Sequence, residues 1–171
     1  MKKVLFYTLS FFIILSSSTS AYSQENLSGN NTQKKNAING TVGYWVLGGT
    51  ANAGYARLVG ENNDKFFKSY WLGADVGVGV LWTSTWRYIN MGLTALSGSN
   101  NNHFELSVGL TTSVDTYSYE NREPGNPVNY WLSLRPSGSL GYRFQKPDGS
   151  FYFRTGIGVP DGLFVGIGFR F

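Results

Sequence analysis

The sequence predicts an all-β protein, an antiparallel up-and-down transmembrane β-barrel of eight strands, on three observations. The dominant hydrophobic period from about residue 40 to Phe171 is two. The two faces this period creates differ in an unusual way, one bulky and apolar, the other small and polar. The composition agrees: 42% hydrophobic, 16% aromatic and only 14% charged residues, with 22 glycines in 171 residues. An ordinary soluble domain has about 25% charged residues and about 7% glycine. This balance excludes a disordered tail and a long-helix protein. The absence of cysteine excludes a disulfide scaffold and a thiolate metal site.

The chain opens with a targeting segment. Lys2 and Lys3 form a positive region, Val4 to Leu15 an apolar stretch, and Ser16 to Ser20 a small polar run. Ala21-Tyr22-Ser23 then fits a small-x-small cleavage site. Residues 1–23 therefore read as a signal peptide, because a twelve-residue apolar stretch is too short to span a bilayer as a helix. Residues 24–38 read as a flexible periplasmic lead-in and 39–171 as the barrel. Without Lys2 and Lys3, twelve basic residues face ten acidic ones, and the formal +4 falls to +2. The basic residues are scattered, so nucleic acid is not an expected partner.

Eight segments follow, roughly 40–47, 51–58, 71–82, 87–96, 103–114, 130–144, 150–159 and 163–171. The second is the weakest, since Ala51, Ala53, Tyr55 and Arg57 barely differ from Asn52, Gly54 and Ala56. In the third, Leu72, Ala74, Val76, Val78 and Val80 oppose Gly73, Asp75, Gly77 and Gly79. In the fifth, Phe104, Leu106, Val108 and Leu110 oppose His103, Glu105, Ser107 and Gly109. The sixth sets Leu134, Leu140, Tyr142 and Phe144 against Arg135, Ser137, Ser139, Gly141 and Arg143. The seventh sets Phe151, Phe153, Ile157 and Val159 against Tyr152, Arg154, Gly156 and Gly158. The last sets Leu163, Val165, Ile167, Phe169 and Phe171 against Phe164, Gly166, Gly168 and Arg170.

A soluble sandwich or lipocalin-like barrel would carry charge on its second face. Gly and Ser with isolated charges suit a narrow lumen instead, and the bulky face suits lipid. On this reading the aromatics face lipid and the glycines face the lumen. Segments of about ten residues match a tilted membrane strand. Residues 98–102 and 145–149 are short, turn-rich inner connections, and 60–65 is a longer one. Residues 115–129 read as a long outer loop, whereas the outer connections at 48–50 and 159–162 are short.

The chain stops at Phe171, at the end of an alternating segment. This resembles the terminal strand of bacterial outer-membrane barrels, in which the final aromatic is read by the barrel assembly machinery. Phe169 and Phe171 would carry that role. Gly141-Tyr142-Arg143-Phe144-Gln145, the turn Lys146-Pro147-Asp148-Gly149 and Phe151-Tyr152-Phe153-Arg154 resemble a hairpin of small outer-membrane barrel proteins of Bacteroidota. The segment from His103 to Leu110 is similar to another block of that family, and Tyr55-Ala56-Arg57-Leu58 echoes a third, with Ala56 at the usual Glu. The resemblance implies an outer-membrane address and a barrel fold, and no chemistry.

The candidate site is a set of inward charges: Asp75, Glu105, Arg135, Arg143, Arg154 and Arg170. An eight-stranded lumen is filled by side chains, so these charges must pair into a structural network. Arg143 and Arg154 flank one turn symmetrically and need a shared acceptor, for which Glu105 is the candidate. His103, Glu105 and Ser107 share a face and resemble a catalytic trio in composition. However, neighbours two apart on a strand are about 7 Å apart, and His103 lies at an inner turn. Tyr117, Tyr119, Tyr130 and Trp131 offer either a surface-binding patch or an interfacial girdle. No metal-ligand cluster or phosphate loop is present, so no metal or cofactor is expected. The expected protein is a non-catalytic outer-membrane barrel with a structural or surface-interaction role, contacting outer-membrane lipid. The alternatives are a narrow channel and a lipid A-modifying enzyme.

Overall fold

The computed structural model describes residues 34–62, 64–82, 84–98, 100–116 and 132–171. Eight strands form in sequence order: β1 (Asn36–Trp45), β2 (Gly48–Glu61), β3 (Phe67–Leu81), β4 (Ser84–Ser97), β5 (Asn102–Thr116), β6 (Leu132–Gln145), β7 (Phe151–Val159) and β8 (Gly162–Arg170). Each strand pairs antiparallel with its sequence neighbour, and β1 pairs with β8 to close the barrel. Closure leaves no free sheet edge along the shared length of the strands. The seam runs from Ala37 opposite Arg170 to Tyr44 opposite Leu163. Two backbone bonds between Asn36 and Phe171, at 3.0 and 2.9 Å, extend it to the last residue.

The alternation sorts as the pattern predicts. Val76, Ile157 and Leu163 are each at least 60% exposed, while their neighbours in sequence point inward. Nine residues rise about 30 Å along the strand, or roughly 23 Å at a tilt near 40°. The two shortest strands, β7 and β8, thus match an apolar band about 25 Å tall.

Several boundaries differ from the sequence reading. β1 begins at Asn36, so three residues assigned to the lead-in join the sheet. The reason is Ala37, which is 1% exposed and packs with Trp71, Leu96 and Tyr152. The first outer turn falls at Val46-Leu47, and residues 48–50 belong to β2. Gly48 lies so close to β3 that a Cβ there would approach the Val80 carbonyl oxygen to 2.0 Å. A glycine pair that reads as a turn is thus a close strand contact. β2 also carries a bulge between Leu58 and Gly60.

The assignment of aromatics to the lipid side needs a larger correction. Trp71, Tyr88, Tyr152 and Phe164 are buried inside the barrel. They fit because the residue directly opposite is often glycine. Tyr88 faces Gly77 and Trp86 faces Gly79 across β3 and β4, and Tyr152 faces Gly168 across β7 and β8. A Cβ on these glycines would meet the ring atoms at 2.4, 2.1 and 2.1 Å. Each ring lies where its partner's side chain would be, a ring-on-glycine pairing that fills a narrow lumen.

Candidate functional site

The densest chemistry lies inside the barrel, in two layers. The first is near the end where β1 begins and β8 ends. Arg143 on β6 and Arg154 on β7 are directly opposite each other, as symmetric placement about a tight turn requires. Glu105 on β5 sits between them. Arg143 Nε lies 2.6 Å from Glu105 Oε2, and Arg154 Nη2 lies 2.7 Å from Oε1. Glu105 is 1% exposed, so this is a buried, charge-assisted pair of contacts. Aromatic rings support both cations. The Arg143 guanidinium lies 4.4 Å from the Tyr152 ring centre, and that of Arg154 lies 5.0 Å from the Phe164 ring. Below this layer, Ala37, Trp71, Leu96 and Tyr152 form an apolar floor. Ions and rings together occupy the bore.

The second layer lies at the opposite, mouth end and centres on Asp161. This residue sits in the β7–β8 turn, which folds into the mouth. Thr50, Asn52 and Tyr88 all donate to Asp161 Oδ1, at 3.0, 3.0 and 2.8 Å. Trp45 Nε1 anchors the same turn through the Pro160 carbonyl at 2.6 Å. Between the layers is a polar cavity of about 70 Å³ lined by Asn39, Thr41, Asp75 and Asn90 among others. Asn90 Oδ1 accepts from Thr111 at 3.0 Å and from Ser137 at 2.6 Å.

Of the six charges singled out from the sequence, the structure gathers Glu105, Arg143 and Arg154 into one ion cluster. Asp75 lies in the lumen, where Asn90 Nδ2 donates to it at 3.4 Å, and no cation is within 4.0 Å among the described residues. Arg135 is exposed at the mouth and lines an apolar cavity there. Arg170 instead fastens the β6–β7 turn, donating to the carbonyls of Pro147 and Gly149 at 2.9 Å and of Lys146 at 3.4 Å. Its parity is inward, but it is the last residue of β8 and reaches the turn beside it. Phe169 and Phe171 are exposed on the outer surface at the same end.

The trio of His103, Glu105 and Ser107 does not assemble. His103 Nδ1 contacts the Ser97 carbonyl at 3.1 Å, and Ser107 pairs with Thr94 at 2.8 Å. Glu105 is held by the two arginines. Each member has its own partner, so one face does not make one site. Tyr117, Tyr119, Tyr130 and Trp131, with most of the 115–129 loop, lie outside the described residues.

Sequence reasoning missed Asp161 and Tyr88. Asp161 reads as an ordinary turn residue, and β4 has no strong alternation to flag Tyr88 as inward. The Trp45 to Asn52 region carried the available signal: its polar members needed an acceptor at the same barrel height.

No protein-family model matches the chain, and no curated protein matches it. Among solved structures, the N-terminal β-barrel domain of Pseudomonas aeruginosa OprF superposes with a TM-score of 0.59 at 11% identity, covering 81% of this chain and 98% of that one. The Yersinia pestis outer membrane protein Ail aligns with a TM-score of 0.45 at 14% identity, over 81% of this chain and all of that one. The likeness to the OprF barrel domain is one of fold: a closed eight-stranded antiparallel barrel of similar extent. The Bacteroidota resemblance of the Tyr142 hairpin has no counterpart among these matches.

Proposed function

We propose that the chain is an integral outer-membrane β-barrel of a Gram-negative bacterium, exported through a cleaved signal peptide at residues 1–23. Its role is structural or surface-interacting, with no catalysis. The end where β1 begins and β8 ends faces the periplasm, and the long 115–129 connection faces outward. Phe169 and Phe171 present the C-terminal strand to the barrel assembly machinery, and outer-membrane lipid covers the apolar face. The observation that carries this reading is the Glu105–Arg143–Arg154 layer across the bore, backed by inward rings and surrounded by an apolar exterior. A closed ion layer inside and bare aliphatic side chains outside invert a soluble protein.

Two measurements test it. Unboiled, folded protein from the outer-membrane fraction should migrate faster on gels than boiled protein. In planar bilayers it should give no stable conductance. A reproducible single-channel current would overturn the filled lumen. It would favour instead a narrow channel, the reading that the 70 Å³ polar cavity beside Asp75 supports.

A further inference from the structure

The barrel wall is uneven at the mouth. β6 pairs with β7 only as far as Gly138 opposite Val159. Residues 132–137 continue past that point and pair with β5 alone among the described residues. β7 and β8 have nine residues each, against 14 in β6, and the Pro160-Asp161 turn closes them. A notch therefore sits above this turn, flanked by the far edge of β6 and the Trp45–Leu47 hairpin tip. Pro136 lies along that edge, a position a residue without an N–H tolerates well.

Two apolar cavities meet at the notch. One, of about 500 Å³, is in the mouth and is lined by Leu81, Trp86, Pro136 and Pro160. The other, of about 690 Å³, lies on the outer wall over Leu106, Leu140, Ile157 and Leu163. They share Trp45, Val46 and Val159. An inward residue, Trp86, and lipid-facing residues such as Ile157 are thus joined by one continuous apolar surface. Among the described residues, the charged one on the lining of the mouth cavity is Arg135, which is exposed. Inward along the bore, passage ends at the Asp161 and Glu105 layers, and the notch gives the mouth cavity a sideways way out.

We infer that the mouth cavity binds a single-chain anionic amphiphile, a long-chain carboxylate, and exchanges it through this notch with the outer leaflet. The inference rests on the membrane-barrel reading above. The chemistry follows from the surfaces. A cavity of this size with mostly apolar walls takes a hydrocarbon chain. Arg135 supplies the partner for one carboxylate. Because the second cavity opens on the lipid-facing wall, a chain leaving by the notch passes from apolar surface to hydrocarbon without crossing water. A cavity of about 500 Å³ suits one hydrocarbon chain rather than a two-chain lipid.

The test uses the full mature chain, refolded in phospholipid vesicles, with palmitate carrying a photoactivatable diazirine at its tail. Peptide mapping after illumination should find label on Trp86 and Pro136 as well as Val159, and excess palmitate should remove it. Trp86 is diagnostic because lipid outside the barrel cannot reach an inward ring. R135Q should raise the half-saturating concentration about three-fold, the scale of one exposed ion pair. V159W, at a half-exposed site that tolerates bulk, should reduce Trp86 labelling at least ten-fold while label on the lipid-facing strands persists. Label spread evenly over the lipid-facing strands, with Trp86 unmarked or excess palmitate without effect, would overturn the inference. That result would leave the barrel reading intact, since folding and conductance are read separately.

Discussion

The substitution Glu105→Gln probes the ion layer most directly. Glu105 is 1% exposed and uses one oxygen for each arginine, at 2.6 and 2.7 Å. Glutamine keeps one carbonyl oxygen and replaces the other with an NH₂ donor. One guanidinium keeps an acceptor, and the other faces a donor. Two cations, with side chains 5% and 15% exposed, are then left side by side without a counter-charge. Removing one partner of a buried ion pair costs about 3–5 kcal/mol. For a chain of this size each kcal/mol moves the melting temperature by about 3 °C, so E105Q should lower it by roughly 10–15 °C. The readout is the temperature at which the fast-migrating folded band is lost in detergent, checked by urea titration in vesicles. A triple replacement, E105L/R143M/R154M, should lose less stability than E105Q alone, because it removes the charges together. An unchanged melting temperature for E105Q, or a triple variant worse than the single one, would refute the reasoning.

Four further outcomes follow from the same geometry. G168A sets a methyl group against the Tyr152 ring, where a Cβ would stand 2.1 Å from Cζ, and should cost about 1–3 kcal/mol in urea unfolding. V76R puts a charge on the exposed apolar side of β3 and, on the membrane reading, should destabilise the barrel in vesicles by up to about 2–4 kcal/mol, whereas in a soluble barrel an exposed arginine there would be nearly neutral. D161A leaves Thr50, Asn52 and Tyr88 without their shared acceptor and should cost about 1–3 kcal/mol, with D161N less harmful because it retains an oxygen. On the proposed reading, deleting Phe171, which removes both backbone bonds to Asn36, should lower outer-membrane assembly in cells more than refolding yield in detergent.

How much was legible depends on whether a residue's role is set by its own strand. β8 could be read outright, because Leu163, Val165, Ile167 and Phe169 alternate with Gly162, Phe164, Gly166 and Gly168. The same holds for β3 and β7. β2 is nearly unpolarised in sequence, yet it is a 14-residue strand, since both of its neighbours supply backbone partners. The Arg143–Arg154 neighbourhood was legible because a symmetric turn fixes cross-strand register. Asp161 was not, because its three donors come from β2 and β4, and only barrel closure brings the β7–β8 turn to them. The inward tilt of Arg170 onto a turn was hidden for a similar reason. Parity gives the side a residue faces, but not whether its end of the strand opens on the lumen or the rim.

The ring-on-glycine pairs explain why so few charges suffice. A lumen lined by polar side chains alone would need an acceptor for every donor, and each unmatched group would cost free energy. Here Gly77 with Tyr88, Gly79 with Trp86, Gly156 with Phe164 and Gly168 with Tyr152 fill cross-sections of the bore with rings. A ring occupies the space of two side chains and asks for at most one hydrogen bond. The high glycine and high aromatic content are therefore one feature rather than two, because part of each serves the other across a strand pair. It follows that the pairs are interchangeable in direction but not in content. Moving the ring of Tyr88 to position 77 and the glycine to 88 should preserve more stability than G77A alone, which adds volume without removing any.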